Sequence, residues 1–241
     1  MQNQIGNPGL VVVAALPDPH VRVVVNDVVV PAMNKLIGVF GSGATLVAVQ
    51  LQAPSLRRFM NFDTRPVQAA LLPTTLPAFC DKHLDPITLD TDEALNAFVT
   101  TTAGGAERDP VLAWLGDGNY AVPAGEVFTI RAASATAAVA FAWTNVPMVF
   151  AQALPAGKYA VVGFRAESAN MIAARLVGVG YQWRPGCLGY ATGNLVEPAI
   201  FRNGGLGEWM TFNHNTPPTV DILCMVADAA QIFHLDLIKV Q

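Results

Sequence analysis

One stretch of this chain is written twice, and the repetition limits the folds open to it more than any other feature. Residues 31–59, PAMNKLIGVFGSGATLVAVQLQAPSLRRF, return as residues 155–183, PAGKYAVVGFRAESANMIAARLVGVGYQW. An offset of 155 − 31 = 124 sets Pro31 on Pro155, Ala32 on Ala156 and Phe40 on Phe164. After one residue of slip, an offset of 125 lays 44–51 on 169–176, with Leu46 on Met171 and Val47 on Ile172. A third echo, at 94, sets 128–146 on 222–240, where Val139, Phe141 and Trp143 meet Phe233, Leu235 and Leu237. Trp114 and Trp209 stand 95 apart. Self-similarity that keeps the order of its elements marks a duplicated unit, and each copy must bury its own core.

The texture of both copies is β. LVVVAAL (10–16), VRVVV (21–25), KLIGVF (35–40), TLVAVQLQ (45–52), VLAWL (111–115), EVFTIRAAS (126–134) and TAAVAFAWTNV (136–146) are rich in β-formers or alternate with period two. In TLVAVQLQ, Val47, Val49 and Leu51 take one face and Ala48, Gln50 and Gln52 the other. EWMTF (208–212), DILCMVA (221–227) and FHLDLIKV (233–240) continue the pattern, and a phase change near Leu176 predicts a bulge accommodated by Gly178 and Gly180. Seven or eight strands per half, separated by turn residues, predict two antiparallel sandwiches, residues 1–146 and 147–241. The short apolar link from Asn145 to Gly157, with Pro147 and Pro155, packs the two side by side. Among sandwiches with about eight strands the jelly roll leads.

The fall in offset from 124 to 94 gives the first half 124 − 94 = 30 extra residues, which must lie between 60 and 113. In that window the sequence predicts one short helix, near 91–103. Asp90 caps it, Glu93 completes a capping box, Leu95, Phe98, Val99 and Thr102 form a stripe, and Gly104-Gly105 end it. Such a helix either packs against a neighbouring molecule or covers its own core.

Charge is scarce: 52% of residues are hydrophobic and 13% charged, about half the usual share of a soluble domain. Much of the outer surface is therefore expected to face lipid or protein instead of water. The uncharged run 132–157 is long enough to span a bilayer, but Ser134, Thr136, Thr144, Asn145, Pro147 and Gln152 interrupt it, so protein neighbours are the better account. MQNQIGNPG lacks the basic start of a secretory signal. A net charge of −4 and ten scattered arginines, adjacent only at Arg57-Arg58, exclude the basic face of a sequence-specific nucleic-acid binder. Three cysteines, Cys80, Cys187 and Cys224, share no metal-ligand spacing and fit reduced, cytosolic synthesis.

Residues that could carry chemistry are sparse. His20, His83, His214 and His234 form no paired-ligand spacing, and His234 is placed as an outward or interface side chain on an alternating strand. Ser42, Ser55, Ser134 and Ser168 lack a nucleophile-elbow context. Cys187 reads as the most exposed thiol, without a base beside it, and Cys224 as core. Asp81, Asp85, Asp90, Asp92 and Glu93 cluster without the order of a calcium loop. Trp114, Trp143, Trp183 and Trp209 read as core packing. No catalytic, cofactor-binding or metal-ligating residue is assigned, no cofactor is expected, and the chain does not read as an enzyme.

With its repeated strand blocks at 31–59 and 155–183, its closing blocks at 128–146 and 222–240 and its helix at 91–103, the chain resembles the double jelly-roll major capsid proteins of tailless icosahedral viruses. The resemblance implies two tandem jelly rolls and a coat subunit in the virion, made in the host cytoplasm. It implies self-association into a homotrimeric, pseudo-hexagonal capsomer and then with neighbouring capsomers. Minor capsid or vertex proteins, and an internal membrane reached through other proteins, would be further partners. The chain is short for that family, which puts the tall outward loops of larger members in doubt. A carbohydrate- or receptor-binding sandwich, such as a virion spike or lectin, remains the alternative and would draw on Tyr190, Asn194, Asn203, Asn213 and Asn215. A glycan-cleaving enzyme on paired jelly rolls would need an acid pair that the sequence does not display.

Overall fold

A computed structural model describes residues 9–13, 18, 21–42, 46–56, 62–64, 67–68, 79–101, 110–190 and 199–241. The chain divides into two compact units, Met1–Pro73 with Pro77–Gly118, and Thr74–Leu76 with Asn119–Gln241.

In unit 1 the described strands are β1 (Gly9–Val13), β2 (Val23–Val24), β3 (Asp27–Val29), β4 (Lys35–Ser42), β5 (Leu46–Gln52), β6 (Phe62–Thr64), β7 (Val67–Gln68), β8 (Phe79–Asp81), β9 (Ile87–Thr88), β10 (Ala94–Thr101) and β11 (Val111–Gly116). One sheet runs β2-β3-β10-β5-β6 with β1 also on β10; the other runs β11-β4-β7 with β8 and β9 on β4. Both feed one core: Leu36, Val39 and Val111 from the second sheet meet Val49, Leu51, Leu95, Ala97 and Val99 from the first. Unit 1 is thus a sandwich. The approach is close enough at Gly41 that a Cβ there would overlap the Val49 side chain. Leu46 is buried in place of the expected Val47, because a bulge against Thr100 and Thr101 shifts the register at that point.

The helix expected near 91–103 is, from 94 to 101, strand β10, antiparallel to β1, β3 and β5; residues 102–103 lie outside the described residues. Its burial alternates with Leu95, Ala97, Val99 and Thr101 inside. Over eight residues an apolar run satisfies both periods, and the β-branched Val99, Thr100 and Thr101 decide for the strand. Glu93 does reach back to the Asp90 amide as a capping box would, but it closes a turn in which Asp92 adopts φ 64°.

Unit 2 contains β12 (Val127–Ser134), β13 (Thr144–Val146), β14 (Val149–Phe150), β15 (Lys158–Glu167), β16 (Met171–Val177), β17 (Gly186–Tyr190), a 3-10 turn (Ala199–Phe201), β18 (Met210–Asn213), β19 (Thr219–Cys224) and β20 (Gln231–Lys239). All its described strands join one sheet, ordered β13-β19-β16-β17-β15-β20-β12-β14, with β18 also on β15. The two end strands, β13 and β14, are linked only by Pro147 and Met148, so they lie no more than about 11 Å apart. That is close to the ~10 Å spacing of stacked sheets. The sheet therefore folds over itself into two layers. At the other side β17 belongs to both layers, antiparallel to β16 at 186–188 and parallel to β15 at 189–190. Gly189 permits the crossing, since a Cβ there would collide with the Met171 backbone. Ile130, Ala132, Phe164, Phe233, Leu235 and Leu237 are buried within, with Phe164 and Phe233 stacked at 6.1 Å and Trp209 edge-on to Phe164.

The boundary consequently falls at Gly118/Asn119 and not at 146/147, because β12 pairs with β20 along its whole length and belongs to unit 2. The expected strand 136–146 forms only at its end, as β13. Before it Phe141 has φ 54° and a single bridge joins Ala140 to Cys224; alanine contributes little to a pleated surface. The expected bulge near Leu176 is instead the end of β16, and the register shift in that strand lies between Met171 and Ala173.

The repeat itself is present in the pairing pattern. Leu46 opposes Thr101 on β5 and β10, and Met171 opposes Cys224 on β16 and β19, offsets of 171 − 46 = 125 and 224 − 101 = 123. The parallel contact of Gly41 with Val67 returns as Ala166 with Gly189, offsets of 125 and 122. Val111 on Gly41 returns as Phe233 on Ala166, and Ile87 on Leu36 as Thr211 on Ala160. Strands β4, β5, β7, β9, β10 and β11 thus correspond in order, sense and register to β15, β16, β17, β18, β19 and β20. The third echo at 94 is corrected accordingly, since β20 matches β11 and not residues 139–143. The supposed 30-residue excess of the first half disappears with it.

Candidate functional site

The polar residues of unit 2 gather in two cross-strand networks. In the first, Asp236 on β20 is fully buried. Its Oδ1 accepts from Arg165 Nη2 (2.7 Å) on β15 and Thr129 Oγ1 (2.6 Å) on β12, and its Oδ2 accepts from the Asn203 amide (2.9 Å). One carboxylate so ties three strands to the 199–209 segment, whose Gly204 amide also bonds Val162 O. His234 lies in register between Arg131 and Arg165 and is half-buried. In the second network Arg175, Asp221 and Asn145 stand opposite one another on β16, β19 and β13. Arg175 Nε gives to Asp221 Oδ2 (3.0 Å), Asn145 Nδ2 gives to Asp221 Oδ1 (2.8 Å), and the Trp143 ring lies 4.1 Å from the guanidinium.

The other sequence candidates are dispersed. His83 is half-buried in a turn, its amide and Nδ1 both on Asp81 Oδ1, and Lys82 pairs loosely with Asp85 at 3.8 Å. Ser55 is bound to the Glu93 carboxylate through its hydroxyl and its amide. Ser134 and Ser168 are buried, while His20 and the Ser42 side chain lie outside the described residues. Cys187, expected as the exposed thiol, is buried on β17. Burial pushes the Cys224 thiol up to about 11, Asp228 adding to the rise and the Ser168 hydroxyl opposing it. Burial also raises Cys80, against the pull of Lys82. Such thiols stay protonated near neutrality and are poor nucleophiles. Trp209 is buried, Trp114 and Trp143 are half-buried, and Trp183 is exposed with its Nε1 bound to Trp209 O. Among the described residues no group of three or more His, Cys, Asp or Glu side chains could hold a metal ion, and no helix is long and apolar enough to cross a membrane.

One depression, of about 340 Å³, is lined by Gly157, Lys158, Asn213, His214, Asn215 and Gln241. It lies where β15 begins and β18 and β20 end. His214 Nδ1 accepts from the Gly157 amide (3.3 Å), so the neutral ring carries its proton on Nε2. Of the residues drafted for a sugar site, Asn213 and Asn215 meet here. Asn203 is elsewhere, and the Tyr190 side chain and Asn194 lie outside the described residues. The sequence named Asn213 and Asn215 but not the lysines beside them, because Lys158 and Lys239 come from strand ends far apart in the chain.

No family model matches the chain, and no curated protein does. Among solved structures, the major capsid protein P2 of bacteriophage PM2 aligns over 100% of this chain and 98% of its own, at 11% identity and a TM-score of 0.25. A Paenibacillus xanthan lyase aligns over 99% of this chain and 23% of its own, at 11% identity and a TM-score of 0.23. Superpositions this loose carry neither a fold nor a function across.

Proposed function

We propose that this protein is a structural coat subunit, built from two tandem jelly-roll sandwiches, that self-assembles into homotrimeric, pseudo-hexagonal capsomers of an icosahedral virion shell. The observation that carries the reading is the repeat: the pairs β5–β10, β4–β7, β4–β9 and β4–β11 of unit 1 recur in unit 2 as β16–β19, β15–β17, β15–β18 and β15–β20, in the same sense and nearly the same register. Two copies of one sandwich in a chain give a trimer six similar walls, the geometry a hexagonal lattice uses. The surface supports the same reading. Only 13% of residues are charged, and Val24, Val25, Leu84, Val139, Val149, Val179 and Val226 are exposed. Large obligate interfaces accommodate such a surface better than water does. The charged groups of unit 2 at Asp236 and Asp221 are occupied in holding strands together, as a scaffold requires. The test is size-exclusion chromatography with light scattering on the purified chain, followed by particle imaging. Trimers and shell fragments are expected, and a monomer that forms no higher assembly at any concentration would overturn the proposal.

A further inference from the structure

We propose that the depression at Lys158 and His214 receives the Asp90–Asp92 turn of a second copy of the chain, an inference that rests on the coat-subunit reading. An offset of 124 sets Leu89, Asp90 and Thr91 on Asn213, His214 and Asn215, so that Asp90 and Thr91 follow β9 as His214 and Asn215 follow β18. The two corners therefore occupy matching positions on their own units. Their charges are opposite. Two of the four lysines of the chain converge on the unit 2 corner: Lys158 lines it, and a Cβ on Gly157 would lie 3.3 Å from Lys239 Nζ. No Asp or Glu side chain lines the depression, and among the described residues neither ammonium forms an ion pair. At the unit 1 corner Asp90 and Asp92 are exposed and likewise form no ion pair among the described residues, while the Glu93 carboxylate is held by Ser55 and the Asp90 amide. Lys35, paired with Thr88 on β9, gives its ammonium to Thr88 Oγ1.

Matching positions on two like units meet about a local pseudo-twofold, the relation between neighbouring capsomers of a hexagonal lattice and not the one around a ring, so the contact links one capsomer to the next. Matched charge at the equivalent corners selects unit 1 on unit 2 over unit 1 on unit 1 or unit 2 on unit 2. Charges at an interface rim set partner choice and register, and they are screened by salt.

The test measures association of the full chain by light scattering at low and high salt. Lys158→Glu combined with Lys239→Glu is expected to lower the apparent association constant at least about tenfold at low salt, and Asp90→Lys to do the same. Reversing both corners in one chain should restore it to within about threefold of the unaltered protein. Thermal melts of each variant separate a lost contact from a lost fold. If the protein assembles but neither reversal weakens it, or if the combined reversal brings no recovery, the docking inference fails while the coat reading stands. If the unaltered chain never associates, both fall.

Discussion

At the scale of single residues, the comparison between the two copies shows what a buried ion pair replaces. Arg165 opposes His234, and Gly163 opposes Asp236; at offsets of 125 and 122 the same positions in unit 1 are Phe40 opposite Leu112 and Gly38 opposite Trp114. One copy fills this face with apolar rings and the other with a charged pair. A buried pair gains Coulomb energy but loses hydration, so its net contribution is small, whereas breaking it leaves an uncompensated charge. Asp236→Ala is therefore expected to cost about 3–5 kcal/mol of unfolding free energy, since the buried Arg165 guanidinium would lose the carboxylate that balances its charge. The double variant Arg165→Met, Asp236→Leu should recover most of that loss, as the apolar rings of unit 1 suggest. Urea titrations monitored by tryptophan fluorescence would read both, and equal losses in the single and double variants would contradict the account. Residue identity alone did not disclose the pair, because Arg165 and Asp236 are 71 apart in sequence and only the register of β15 on β20 brings them together.

At the scale of elements, β10 is the clearest case of a local signal overruled by its surroundings. The helical stripe would bury Leu95, Phe98 and Val99, whereas the strand buries Leu95, Ala97 and Val99 and leaves Phe98 half-covered. The two readings differ at adjacent positions. Ala97→Asp should cost about 3 kcal/mol or more, because it would place a charge in the core between the sheets. Phe98→Ala should cost about 1 kcal/mol. The reverse order in equilibrium unfolding would restore the helix. Strands β4 and β5 and their copies were legible in the sequence because Pro31, Ala32 and Phe40 recur as letters and because all four are strongly apolar, although only β5 alternates in burial while β4, β15 and β16 are buried on both faces. The match of β11 with β20 was not: VLAWLG and the strand Gln231–Lys239 share pairing partners but hardly a letter, and Trp114 has become Asp236. The echo at 94 misled for the opposite reason, since any two alternating apolar runs resemble one another. Alternation records which face is buried, and only hydrogen-bonded register records which neighbour a strand has. The basic depression was illegible on the same ground, being assembled from three strand ends.

At the scale of the whole molecule, the position of β12 decides where the chain can be cut. Because β12 covers β20 from Val127 to Ser134, a fragment beginning at 147 would lack both β12 and β13, leaving the β20 edge and the β19 edge open together. Open edges of that length are templates for pairing with other chains. A fragment of residues 119–241 keeps all nine described strands of the unit 2 sheet and the link through Pro147 and Met148 that folds it over. It is expected to be soluble and to melt cooperatively, with dispersed amide resonances, while 147–241 should aggregate or remain unfolded. A folded 147–241 with an aggregated 119–241 would return the boundary to the middle of the uncharged run and detach β12 from unit 2. The outcome also bears on assembly. If each unit closes its own core, the exposed valines and the two oppositely charged corners are left for contacts between molecules, and a single apolar core shared by both units would leave no such surplus.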